Sequence, residues 1–156
     1  GWRHRDISLG NIMIYKERGF LIDWELAQRP HLMNTGKPRL PDQTGTWRFI
    51  SAARQLDPLS APHLAMDDME SVFWAFLYLA LRYGNHDLSG ERIKERLQVI
   101  FEERSVADGI MRGGNAKNNV MTDSQPWPNA TIPTRFTPNA LNNVLISMRD
   151  AFQPRY

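Results

Sequence analysis

His4-Arg5-Asp6-Ile7-Ser8-Leu9-Gly10-Asn11, with Asp23 twelve residues beyond Asn11, is the stretch on which the reading of this chain turns. Asn11-Ile12-Met13-Ile14-Tyr15 and Phe20-Leu21-Ile22-Asp23 are mostly apolar runs separated by Lys16-Glu17-Arg18-Gly19, so an antiparallel hairpin is predicted. With the turn at residues 16–19, Tyr15 faces Phe20, and Asn11 and Asp23 come near each other at the open end. Asp6 lies on the loop leading into that end. Two carboxylates and an amide oxygen gather there without a thiol. Such an oxygen donor set suits Mg²⁺, which takes one or two carboxylates and completes its shell with water and substrate phosphate.

Outward from the hairpin, a Pro-containing connection (Pro30, Pro38, Pro41, Pro58, Pro62) runs to residue 65. A connection of that length inside a compact domain is functional or disordered. Residues 66–83 carry a helical pattern, and 72–81 are apolar all round, as in a central, buried helix. Asp67 and Asp68 at its start are placed to cap free N–H groups and favour the helix dipole. Glu70 nearby makes a metal cluster conceivable, but capping is the better reading of these acids. Ser89 opens a second helix with Ile93, Leu97, Ile100 and Phe101 on one side. Residues 105–135 are Gly-, Asn- and Pro-rich and read as mostly loop, with Gly113-Gly114 a turn. Thr137 as N-cap and Pro138 at the first helical position begin a last helix, striped by Leu141, Leu145, Met148 and Phe152. The fold class is mainly α, one short β-hairpin followed by helices around a buried one.

Composition narrows the function classes. A length of 156 residues suits one domain, and 42% hydrophobic against 23% charged residues excludes disorder over most of it. The apolar run at 72–81 is too short to span a bilayer, and no signal or transit sequence opens the chain, so no membrane is expected. Nineteen basic against seventeen acidic residues give +2, with no basic run longer than two, which does not call for nucleic acid. Absence of cysteine excludes disulfides and thiolate zinc sites and points to an intracellular compartment, cytoplasm or nucleus. His31, His63 and His86 lack ligand spacing and are expected on the surface or in loops. Trp47, Phe73, Trp74, Phe76 and Tyr78 are expected to pack in the core or a groove.

His-Arg-Asp with Asn five residues after the Asp resembles the catalytic loop of protein kinases. Leu21-Ile22-Asp23-Trp24-Glu25 stands where those proteins carry their metal-binding Asp-Phe-Gly. Gly45-Thr46-Trp47-Arg48-Phe49-Ile50-Ser51 is similar to the end of their activation segment, and Asp68-Met69-Glu70-Ser71 with the apolar run to their central C-lobe helix. The wording resembles the fungal protein-kinase-like family over residues 2 to about 83. The resemblance implies a kinase-like C-lobe spanning 1–156: catalytic loop and metal-binding hairpin at 1–23, an activation-segment-like loop at 24–65, and a helical subdomain at 66–156. It implies Mg²⁺- and ATP-dependent phosphoryl transfer to a protein Ser/Thr hydroxyl. Asp6 would accept or orient the hydroxyl proton, and Asn11 and Asp23 would hold Mg²⁺ on the nucleotide phosphates. Arg5 would contact an acidic or phosphorylated activation segment, while His4 braces the loop. Thr46 would hydrogen-bond near Asp6 in the substrate groove, and Asp68 would accept N–H bonds from the catalytic loop. Thr44 and Thr46 are also candidates for phosphorylation.

Departures from the pattern matter. Ser8 replaces a Lys that would reach the γ-phosphate, a loss of a few kcal/mol at a dry site. Glu25 replaces a hinge Gly, and Ala52-Ala53 stands in place of Pro-Glu, so the ion pair that anchors this segment in the family cannot form. The chain holds no Gly-rich phosphate loop, no strand Lys and no partner helix Glu, so the nucleotide-covering N-lobe is missing and little turnover is expected from the chain alone. The protein partners implied are a substrate and that N-lobe or upstream segment. Two alternatives stand beside this reading: a small-molecule kinase of the aminoglycoside and choline type, and a pseudokinase-like binding module.

Overall fold

A single 3-10 turn, Leu9–Asn11, feeds β1 (Ile12–Tyr15), which pairs antiparallel with β2 (Arg18–Leu21). The structure is a computed structural model and describes residues 1–29, 45–59, 63–123, 132 and 134–156. The register runs from Tyr15↔Arg18 to Ile12↔Leu21. The turn is therefore the two residues Lys16-Glu17, not the four expected, and Tyr15 does not face Phe20. Both turn residues are left-handed, with φ of 48° and 60°, matching the primed turns whose twist suits a hairpin. Gly19, the residue best fitted to such a turn, lies in β2 opposite Ile14. Pro30, Pro38, Pro41, Pro62, His31 and Thr44 lie outside the described residues.

Helices supply the remainder. A short α1 (Ala52–Leu56) is capped by Ser51, whose hydroxyl accepts from Arg54 N, and α2 (Ala65–Tyr83) follows. Then come β3 (Asn85–His86), α3 (Gly90–Phe101), β4 (Ser105–Ala107), β5 (Ile110–Arg112), α4 (Asn115–Thr122), β6 (Phe136–Thr137) and α5 (Asn139–Phe152). The start of α3 is as expected, with Ser89 as N-cap. Residues 105–123, expected as loop, instead form a second hairpin and α4. Asp108-Gly109, left-handed at φ 53° and 73°, turns that hairpin. Gly114 caps α4 in the left-handed region at φ 85°. Thr137 does not cap α5 either. It pairs with Asn85 in β6, and the Asn142 side chain secures the helix entry by bonding both Phe136 N (2.8 Å) and Phe136 O (2.6 Å).

The core forms around α2. Phe73, Trp74, Leu77 and Leu81 are fully buried against Ile100 and Phe101 of α3, Val120 and Met121 of α4, and Leu145 of α5. Edge-to-face rings knit it together: Trp74 meets Phe73 at 4.9 Å and Phe101 at 6.2 Å, and Tyr78 meets Phe101 at 5.2 Å. The expectation of a helix buried all round is corrected. Met69, Val72, Leu79 and Tyr83 are exposed and fall at helical spacing on one face. No helix among the described residues is long and apolar enough to cross a membrane.

Two acids of α2 tie distant parts of the chain together. Glu70, completely buried, accepts from Ala52 N at 2.7 Å, Trp74 Nε1 at 2.9 Å and the Tyr156 hydroxyl at 2.5 Å, and pairs with Arg155 at 3.3 Å. Asp67 accepts from the Ser51 hydroxyl (2.5 Å), Leu64 N (2.6 Å) and Arg155 (2.5 Å). Burial pushes the Asp67 carboxyl up, but bonds from Ser51, Leu64 and Arg155 outweigh it and hold it below the usual range. The segment around Ala52-Ala53 is thus anchored without a carboxylate of its own. Capping explains only Asp67, which reaches back to Leu64 N; Glu70 is an internal ion-pair partner.

Candidate functional site

The loop entering β1 owes its shape to α2. Asp68, one turn into that helix, accepts from His4 N at 2.6 Å, Arg5 N at 2.9 Å and His63 Nε2 at 2.8 Å. Burial raises the Asp68 carboxyl, yet these bonds, His63 foremost, bring it below the ordinary value. Arg5 is buried in the left-handed region at φ 74°, its guanidinium reaching Leu26 O at 3.4 Å. His4 is buried too. Its Nδ1 accepts from Asp6 N at 3.4 Å, so Nε2 carries the hydrogen given to Ile22 O at 2.9 Å, and its ring meets Trp24 edge-on at 4.8 Å. His4 thereby joins the Asp6 loop to the segment that leads into Asp23.

Asp6 is the meeting point. Its Oδ1 accepts from Thr46 N (2.8 Å) and the Thr46 hydroxyl (3.1 Å), and its Oδ2 accepts from Asn11 Nδ2 (3.1 Å). The same Asn11 nitrogen also bonds Asp6 O at 2.9 Å. With both nitrogen hydrogens turned to Asp6, the Asn11 oxygen is the amide atom left for a cation. Ile22 N donates to Asn11 O at 2.9 Å, which sets Asp23 one residue past the last bond of the ladder. Asp23 is exposed, in the left-handed region at φ 62°, and bonds to neither Asp6 nor Asn11. A non-glycine residue held there carries strain that recurs at functional sites.

The structure therefore brings Asp6, Asn11 and Thr46 into direct contact. It holds His4 and Arg5 through Asp68 and leaves Asp23 exposed, one residue past the Ile22–Asn11 bond. Among the described residues no three His, Asp or Glu side chains gather as a metal cluster. An Asn oxygen with one exposed carboxylate is nonetheless a hard-oxygen donor pair of the kind Mg²⁺ accepts alongside phosphate. His63 lies in a loop, as expected, but is half-buried against Asp68, and its carbonyl accepts from Arg3 at 2.5 Å. His86 likewise bonds Leu81 O at 2.9 Å and packs on Phe136. Lone histidines without ligand spacing carry no local signal of such roles.

Gly45 makes the Thr46 contact possible. Its φ is 112°, and a Cβ there would lie 2.8 Å from Arg5 O and 3.5 Å from Asp6 Oδ1. Gly45→Ala is expected to cost about 1–3 kcal/mol and to release Thr46 from Asp6. Urea unfolding, with hydrogen exchange at Thr46 N, checks it; unchanged protection at Thr46 would contradict the close approach.

A sequence model of the family described as fungal protein kinase matches residues 1–80, just over half of the 156. The chain belongs to the fungal protein kinase family. No curated protein and no solved structure matches it. The matched region contains the Asp6 loop, the β1–β2 hairpin, Thr46 and most of α2, so every residue of the candidate site lies in the part shared with that family. The helices and the hairpin from α3 onward lie outside it.

Proposed function

We propose that this chain is the C-lobe of a protein-kinase-like phosphotransferase, transferring the γ-phosphoryl group of Mg²⁺-ATP to a Ser or Thr hydroxyl of a protein. The observation that carries the reading is the Asp6 carboxylate, fixed by Thr46 and Asn11, with the exposed Asp23 one residue past the Ile22–Asn11 bond. Asp6 Oδ1 is taken up by Thr46, whereas Oδ2 has a single donor and keeps lone-pair capacity for a substrate hydroxyl. The hydroxyl proton passes to Oδ2 as the oxygen attacks phosphorus and the bond to the ADP oxygen breaks. Asn11 and Asp23 would hold Mg²⁺, which when bound neutralises phosphate charge. Thr46, exposed beside Asp6, is placed to contact the incoming chain. Most of the rate would come from positioning and charge neutralisation, with no cation at Ser8 to assist.

A covering lobe completes the reading. Met13, Ile14, Tyr15, Phe20, Ile22 and Trp24 leave the hairpin exposed and apolar, a surface suited to another protein body. The test is phosphate transfer by the protein isolated from its source cell, to Ser/Thr peptides and to small alcohols. Peptide phosphorylation is expected, reduced roughly 10³-fold or more by Asp6→Asn. Mg²⁺-ATP affinity should fall at least about 10-fold in Asp23→Ala. Transfer to small alcohols alone would replace the reading with a small-molecule kinase. A folded Asp6→Ala protein with intact biological activity would replace it with a binding module.

A further inference from the structure

An open groove of about 470 Å³ lies between the C-terminal end of α2, α3 and the Trp47–Phe49 turn. That is room for a side chain of peptide size and its neighbours. Tyr78, Ile93 and Leu97 supply apolar walls. The Tyr78 ring is held by Phe49 at 5.8 Å and Phe101 at 5.2 Å, so this wall is rigid. Gly90, at the α3 end, has open space where a Cβ would stand, which leaves the entrance wide.

The charges around these walls are unbalanced. Arg48, Arg82 and Lys94 line the groove against one acid, Glu102. Glu102 is already bound to Arg48. Arg82 turns its Nε to the Tyr83 hydroxyl at 3.0 Å, and no carboxylate contacts Arg82 or Lys94 among the described residues. Two exposed cations thus flank an apolar wall with no anion to answer them. The segments outside the described residues do not match that need by sequence. Residues 30–44 hold Lys37 and Arg39 against Asp42, and residues 124–131 carry no charge.

We infer that this groove binds an acidic peptide segment of a partner protein, seating one aliphatic side chain against Tyr78, Ile93 and Leu97 while flanking carboxylates meet Arg82 and Lys94. Charge complementarity selects the acidic occupant, and the apolar walls select a protein segment over a bare polyanion. The inference does not depend on phosphoryl transfer, so its failure would leave the proposed function untouched.

The test is fluorescence anisotropy of a labelled peptide, Glu-Asp-Leu-Asp-Glu, against the full chain. Saturable binding on the order of 100 µM or tighter is expected, weakening with added salt. Arg82→Glu with Lys94→Glu should weaken it by about 10-fold or more. Arg82→Gln with Lys94→Gln should weaken it less, and gives a second reading should the reversed pair fold poorly by circular dichroism. Lys16→Glu with Arg18→Glu, on the β1–β2 hairpin, which does not line the groove, should change it little. Peptides with Gly for Leu, or with amides for the carboxylates, should bind weakly. No binding, equal loss from the hairpin pair, or indifference to the Leu would each overturn the inference. Tighter binding of a single-stranded oligonucleotide with the same dependence on Arg82 and Lys94 would overturn it in favour of nucleic acid.

Discussion

Glu70→Ala is expected to cost the fold about 3–5 kcal/mol, the range seen when one partner of a buried charge network is removed. Four donors converge on this carboxylate from three parts of the chain: Ala52 N, Trp74 Nε1, the Tyr156 hydroxyl and Arg155. Its removal leaves the first two buried without a partner, at about 1–3 kcal/mol each, and leaves Arg155 to Asp67 alone. Glu70→Gln keeps the shape but turns an amide NH₂ toward donors, so it recovers only part of the loss. Urea unfolding near neutral pH reads both. A loss below about 1 kcal/mol for the alanine variant would show that the network is dispensable. Because Glu70 also holds the segment that begins at Ala52, the same variant should loosen the Thr46 contact with Asp6, which hydrogen exchange at Thr46 N reports separately.

Lys117 should make the protein more stable as pH rises above neutrality. The side chain is fully buried, Nζ donating to Ile50 O at 2.6 Å and standing 5.2 Å from the Trp74 ring centre. Burial lowers its pKa from 10.5 to about 7, against the opposing pull of Glu70 and Glu103. Between those values the unfolded chain carries a proton that the folded chain has released. Stability therefore climbs through that window, by at most about 1.4 kcal/mol per pH unit. Above about pH 10 a second group acts in the opposite sense. Burial and the nearby Glu70 raise the Tyr156 phenol, so the fold keeps a proton that the unfolded chain gives up. The clean window is thus roughly pH 7 to 9.5, where a gain of about 2–3 kcal/mol is expected from Lys117. Lys117→Met should flatten it. Urea midpoints across this window decide the matter, and a slope unchanged in the variant would mean that Lys117 keeps its proton in the fold.

Local chemistry made part of this molecule legible from residue order alone. Apolar runs on either side of a polar turn located the hairpin, an apolar helical stretch located α2, and apolar stripes at helical spacing located α3 and α5, whose striped faces turn to the core. The Asp6 loop announced itself through closely spaced residue types that all act within one short segment. Where one local rule competed with another, the reading slipped. Gly19 attracted the expected turn, but strand register placed left-handed residues at Lys16-Glu17. A Gly- and Asn-rich composition masked α4, which forms because Val120 and Met121 are buried against the rest of the core.

Other features exist only once the chain is closed on itself. Residues 72–81 are apolar on every side, yet Val72 and Leu79 stay exposed, since which sides of a helix are covered depends on the neighbours it meets. Arg155 reaches Glu70 and Asp67 across more than half the sequence, and nothing within either segment marks the pairing. His63 finds Asp68 through a bend outside the helix, where no periodicity operates. Sequence by itself determined the first hairpin, the three longer helices α2, α3 and α5, the kinship over residues 1–80 and the residue types gathered near Asp6, because propensity, patterning and motif spacing act over a few residues. Tertiary structure alone decided which acids became internal ion-pair partners, which lysine was stripped of water and which cations were left facing an open groove, because desolvation and long-range pairing depend on surroundings the whole fold assembles.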